Sequence, residues 1–231
     1  MNQLITFDSA ELLEASHTAM ENTDLAEQLK IIFRLAESTL AEDGMDLNNV
    51  VFIIAEVADM RDRSVVNEAQ KALWTPEHYP CRIILERGGY KAGAKARLLF
   101  TATKAPHTMI NSFKGQIPTG PFSRTAVVAG RVYGSGVRAI SPETQRLVSE
   151  DLRIQTKQCL QNLDTNLKSS GTFLEKAWSF TTYLTDLANV GLVMEVFREQ
   201  GFDPGKVQMS FEKVDALNEY HPVEIACNAL L

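Results

Sequence analysis

The sequence predicts an α/β (α+β) protein in which one set of elements is laid down twice. Two observations carry this reading. Short β-branched runs alternate with amphipathic stretches of helical period along the whole chain. Residues with matching structural roles also recur at a fixed offset of 127: Asp24 and Asp151 as helix caps, Leu25 and Leu152 as first core contacts, Gly44 and Gly171 as helix terminators. Gln28 and Gln155, Leu40 and Leu167, Asp59 and Asp186, and Val66 and Val193 keep the same register without an insertion. An internal duplication accounts for all of these pairs together.

The elements follow in order. Residues 4–7 form a short strand, and 9–22 are helix-prone through Leu12, Leu13 and Met20. Asp24 caps a longer helix with Leu25, Leu29, Ile32, Ala36 and Leu40 on one face, ended by Gly44. The apolar run 50–57 suits a buried strand, and 63–74 is a second amphipathic helix stopped by Thr75-Pro76. Residues 79–100 then form a hairpin. The stretch 104–119, with two prolines and a glycine, reads as a linker between a first unit (1–103) and a second (120–231). The second unit opens with strands at 126–129 and 132–133 around Gly130, followed by a helix at 149–167 and a strand at 177–184. A helix at 187–200 and a final hairpin of 206–214 with 223–230 complete it. Subtracting 127 from 132–136 lands on 5–9, but the strand around Ala126 maps before Met1. The first unit therefore lacks that strand or borrows another there.

Composition excludes several functions. A formal net charge of −6 argues against a nucleic-acid surface, which needs clustered Lys and Arg. No run of 18 apolar residues occurs, and the N-terminus lacks the basic start and apolar core of a signal peptide. Cys81, Cys159 and Cys227 are odd in number and have no CxxC or His pairing, so reduced buried thiols in a cytoplasmic protein are expected. His17, His78, His107 and His221 are scattered without metal-ligand spacing, and nothing indicates a metal or cofactor.

The predicted hairpin carries the first chemical signal. Arg82 opens one strand and Arg97 lies on the returning one, so a turn near Gly89 would set them opposite each other. Like charges facing each other across a sheet repel, which suggests a missing anion; two solvated edge arginines are the ordinary alternative.

The second half resembles the YjgF/RidA family of reactive-intermediate (enamine/imine) deaminases, also known as L-PSP endoribonucleases. The likeness rests on Gly120-Pro121-Phe122-Ser123, Gly130-Arg131-Val132-Tyr133-Gly134-Ser135-Gly136, Ser170-Gly171, Tyr183-Leu184-Thr185-Asp186-Leu187 and Pro222-Val223-Glu224-Ile225, in that order. The first half is similar more weakly, through Asp59, Asn67 and Pro80-Cys81-Arg82. The resemblance implies two tandem chorismate-mutase-like barrels, each a mixed sheet packed by two helices. It also implies a homo-oligomer, trimeric or pseudo-trimeric, with ligand sites between units. Arg82 matches the arginine that grips the substrate carboxylate, Asn67 the asparagine on the second helix, and Glu224 the glutamate that orients water. Phe122, Ser135 and Gly136 match the lining residues. The offset puts Met209, Met194 and Arg97 where the other copy has Arg82, Asn67 and Glu224. The repeats have thus diverged in complementary ways, and neither alone holds a full standard site.

Hydrolysis of an enamine or imine needs a held carboxylate, a placed water and a group that protonates the leaving amine. A planar guanidinium suits the first task. The expectation is an enzyme acting on a small carboxylate-bearing metabolite, with Arg82 as anchor, Asn67 and Arg97 completing its pocket, and Glu224 placing water. Arg97 beside Arg82 points to a dicarboxylate or another strongly anionic ligand. A non-catalytic binder and a chorismatase-type lyase or hydrolase on the same fold are the alternatives.

Overall fold

The computed structural model describes residues 4–16, 20, 22–90, 93–111 and 115–231. In the first half, β1 (Leu4–Asp8) runs into α1 (Ser9–Ala15), followed by α2 (Leu25–Glu42), β2 (Val50–Val57), α3 (Arg63–Leu73), β3 (Cys81–Glu86) and β4 (Ala96–Thr103). The Asp24 carboxylate accepts the Glu27 amide at 2.9 Å to start α2. Gly44, at φ +66°, reverses the chain at its end.

The second half contains β5 (His107–Ile110), β6 (Thr125–Val128), β7 (Arg131–Gly134), α4 (Leu152–Lys168) and β8 (Ala177–Leu184). After them come α5 (Val190–Glu199), β9 (Gln208–Lys213), β10 (Ala216–Leu217) and β11 (Val223–Leu230). Subtracting first residues, Leu4 from Arg131, Leu25 from Leu152, Val50 from Ala177, Arg63 from Val190, Cys81 from Gln208 and Ala96 from Val223, gives 127 each time. The sheets share an order too. The first runs β1-β4-β2-β3-β10 and the second β5-β6-β7-β11-β8-β9, so β1-β4-β2-β3 and β7-β11-β8-β9 are counterparts.

Helices α2 and α3 cover one face of the first sheet, with Leu29, Ile32 and Phe33 against Ile53, Leu98 and Phe100. Helices α4 and α5 cover the second, with Leu160, Leu163 and Phe197 against Phe180 and Ile225. The remaining sheet faces meet each other. Ile83 and Leu85 pack with Tyr183, Leu217 and Ala226, and Val51 and Cys81 pack with Ala126 and Val128. β10 extends the seam by pairing Leu217 with Leu85 and Ala216 with Glu86.

Three expectations are corrected. The strands at 79–100 are not a hairpin: β2 lies between β3 and β4, parallel to the first and antiparallel to the second. The same holds for β9 and β11, which flank β8. In both halves a helix joins the central strand to the next one, and such a crossover delivers a parallel partner alongside it. The stretch 104–119 is not wholly a linker, because His107–Ile110 pairs with Thr125–Val128 as an edge strand. The helix expected over 9–22 is α1, which closes at Ala15; residues 17–19 (His17 among them) and 21 lie outside the described residues.

Candidate functional site

Strand alternation sends Cys81 into the inter-sheet core and Arg82 the other way, toward α3. On α3, Arg63, Asn67 and Gln70 fall at helical spacing along one face. Arg82 Nη1 donates to Asn67 Oδ1 at 2.9 Å and to Gln70 Oε1. Its guanidinium stacks 5.2 Å from the centre of the Phe122 ring. Arg82 is 3% exposed, and its buried Nη2 has no hydrogen-bond partner among the described residues. Burial first, and the neighbouring Arg63 charge second, pull its pKa down to about 9.

The second half closes over this arginine. Ser123 N donates to Pro80 O at 3.2 Å, Arg82 N donates to Ser135 Oγ at 2.8 Å, and Ser135 Oγ donates to Ser123 O at 2.5 Å. Gly136 N then reaches Arg82 O at 3.3 Å. Two glycines permit the approach. A Cβ on Gly136 would run into the Glu224 carboxyl, with its carbon only 2.8 Å away. A Cβ on Gly120 would meet Arg82 Nη2, Asn67 Oδ1 at 2.8 Å and Arg63 Nη2 at 3.4 Å.

Arg82 and Glu224 therefore line one cleft with Arg63, Thr119, Phe122, Gly136 and Arg138, enclosing about 20 Å³. That volume is room for a single water. Glu224 is 5% exposed, and burial pushes its carboxyl up to about 7 despite the opposing pull of Arg138, Arg82 and Arg63. A carboxyl with that pKa is present in both protonation states near neutrality, so it can take a proton and return it.

Of the expected site residues, Arg82, Asn67, Phe122, Ser135, Gly136 and Glu224 are gathered here from both halves. Arg97 is not. Its side chain ion-pairs with Asp8 and reaches Glu56 Oε2 at 3.4 Å, and Glu56 in turn holds Arg87 at 2.7 Å. The Arg82–Arg97 charge pair fails because β2 separates the two strands. Arg63 and Arg138 were missed. Arg63 carried a signal, lying one helical turn before Asn67; Arg138 carried a weaker one, two residues beyond Gly136 on an extended segment.

Arg138 is fixed from behind: its Nη1 donates to Glu219 Oε2 at 2.5 Å, to His221 Nδ1 at 3.1 Å and to Asn218 O at 3.2 Å. Glu219 and Tyr220 both have positive φ, a strained backbone that sets the Glu219 carboxylate on Arg138. Burial, reinforced by Arg138, drops His221 to about 4, so it accepts as the neutral ring. The cysteines are buried, and burial raises the thiols of Cys81 and Cys227 to about 12 and that of Cys159 higher still. Met209 packs with the second core. Among the described residues no group of His, Cys, Asp or Glu is placed to hold a metal, and no helix is long and apolar enough to cross a membrane.

A family model described as Endoribonuclease L-PSP matches residues 114–231, half of the chain. The chain belongs to this family, which includes the RidA and RutC proteins. Among its relatives is Reactive Intermediate Deaminase A, chloroplastic, of Arabidopsis thaliana, 31% identical over 136 residues that cover 59% of this chain and 72% of the relative. A RutC family protein of Aquifex aeolicus is 30% identical over 120 residues, covering 50% and 94%. Among solved structures, RidA from an Antarctic Psychrobacter is 27% identical with a TM-score of 0.50, covering 54% of this chain and 99% of its own. The conserved Rid-family protein YyfA of Yersinia pestis is 29% identical with a TM-score of 0.51, covering 55% and 100%. About half of this RidA-family chain thus spans a whole neighbour, in keeping with two barrels in tandem.

Proposed function

We propose that this RidA-family chain hydrolyses a small carboxylate-bearing imine or enamine to the keto acid and ammonia, at one cleft shared by two tandem units. The observation that carries the proposal is the buried Arg82 Nη2, unpartnered among the described residues, in the same cleft as Glu224 with its raised pKa. The substrate carboxylate accepts from Arg82, which Asn67, Gln70 and Phe122 hold in place. The imine reacts as its N-protonated form: Glu224 takes a proton from water as the water oxygen bonds to the C=N carbon and the C=N electron pair moves to nitrogen, giving a neutral carbinolamine. Glu224 then returns its proton to the amine, the C–N bond breaks to release ammonia, and the hydroxyl proton passes back to Glu224 as the C=O forms. The complementary losses at Met209, Met194 and Arg97 support the same reading, since each unit keeps only the wall that this cleft uses.

The test is ammonia release from 2-iminopropionate generated in situ by an amino-acid oxidase. The expected result is acceleration over buffer that Arg82→Met and Glu224→Gln both abolish. An equal rate with and without the protein overturns the proposal.

A further inference from the structure

The cleft holds more positive charge than one carboxylate requires. Arg63 Nη2 donates to both oxygens of Thr119, the carbonyl and, at 2.8 Å, Oγ1. Its Nε is buried and without a partner among the described residues. Nε and Nη2 form the side-on edge of a guanidinium that takes a carboxylate bidentately. One of those donors is idle and the other is bonded to two oxygens of Thr119. The two arginines also converge. The position a Cβ on Gly120 would occupy lies 2.5 Å from Arg82 Nη2 and 3.4 Å from Arg63 Nη2. Those nitrogens are separated by no more than the sum of the two distances, within the span between the carboxylates of a four- or five-carbon diacid.

Arg138 is mostly engaged elsewhere, since Glu219, His221 and Asn218 occupy its Nη1, while its Nη2 donates to Thr119 Oγ1 at 3.5 Å beside Arg63. Glu224 is the carboxylate that lines this cleft among the described residues; Glu219, held on Arg138, also acts on Arg63, and burial raises the pKa of Glu224.

We infer that the cleft takes a dianion: a 2-imino or 2-enamino dicarboxylate whose 1-carboxylate sits on Arg82 and whose distal carboxylate takes the place of Thr119 on Arg63. The cavity of about 20 Å³ is too small for a diacid while Thr119 is seated. Entry therefore exchanges the Arg63–Thr119 bonds for bonds to the ligand, which draws the segment around Thr119 away from Arg63. The ordinary alternative is that Arg63 merely pins that segment, and it would affect all ligands alike.

The kinetic arm rests on the imine-hydrolase reading, so a binding arm accompanies it. Calorimetric titration with 2-oxoglutarate and with pyruvate should show the diacid binding about ten- to a hundredfold more tightly, the range of one charge-assisted carboxylate contact. Arg63→Met should reduce that ratio to within about threefold of unity, and Arg63→Lys should restore part of it. With 2-iminoglutarate and 2-iminopropionate, kcat/KM should show the same preference and the same collapse. Equal affinity for diacid and monoacid in the unaltered protein overturns the inference, as does an Arg63→Met variant that weakens both in proportion. Loss of both hydrolytic activities with a persisting preference for 2-oxoglutarate would sink the hydrolase reading and leave the dianion site standing.

Discussion

The amide of Arg82, in the first half of the chain, donates to the hydroxyl of Ser135, in the second, at 2.8 Å. The same hydroxyl donates onward to Ser123 O. This one side chain fastens the arginine-bearing strand to the segment that supplies Phe122 and Gly136, so the site exists only while the two sheets stay together.

Ser135→Ala should leave a buried amide and a buried carbonyl unsatisfied, at about 1–3 kcal/mol. Urea denaturation should show that loss. Activity should fall further than the folded fraction does, because Arg82 loses one of the two backbone contacts, Ser135 Oγ and Gly136 N, that tie it to the second half.

Glu224 should make stability and, if it handles the proton as proposed, rate depend on pH. Its folded pKa of about 7 lies above the unfolded value near 4.5, so between those limits the folded state binds the extra proton and stability falls as pH rises. The deficit is complete above pH 7 and amounts to roughly 3 kcal/mol. Glu224→Gln should therefore be more stable than the parent protein at pH 8 and little different at pH 4.5, by thermal or chemical denaturation. As a proton acceptor, Glu224 should give kcat/KM a limb that rises through pH 7, and the Gln variant should lose that limb.

Gly136→Ala places a methyl group against the Glu224 carboxyl. A loss of about a hundredfold in kcat/KM is expected from displacing the group that handles the proton. The variant should still fold, since the collision is with a side chain, and circular dichroism together with a melting curve would show this.

Arg97→Met separates the ion-pair network from the cleft. It removes partners from Asp8 and the 3%-exposed Glu56 and should cost about 1–3 kcal/mol. Ligand affinity should stay within about twofold by calorimetry. A tenfold loss of affinity would return Arg97 to the site.

Much of the fold was legible because periodicity and caps are local. The capping Asp24 and Asp151, the terminating Gly44 and Gly171, and the 127 spacing all survive in the element boundaries. Strand partners were not legible, since apolar alternation marks Cys81–Glu86 and Ala96–Thr103 as strands without saying that Val50–Val57 runs between them. That one insertion removed Arg97 from the site. Arg63 and Arg138 escaped notice because a charged residue at a helix start or on an extended segment has many ordinary explanations. Only its neighbours in space distinguish it.

The sequence by itself determined the family and marked Arg82 and Glu224 as candidate site residues, because these rest on residue types at fixed positions along the chain. Only the tertiary structure decided that one cleft unites them. The distance between a guanidinium on β3 and a carboxyl on β11 depends on how two sheets bury their apolar faces against each other, a long-range packing outcome that no local pattern encodes.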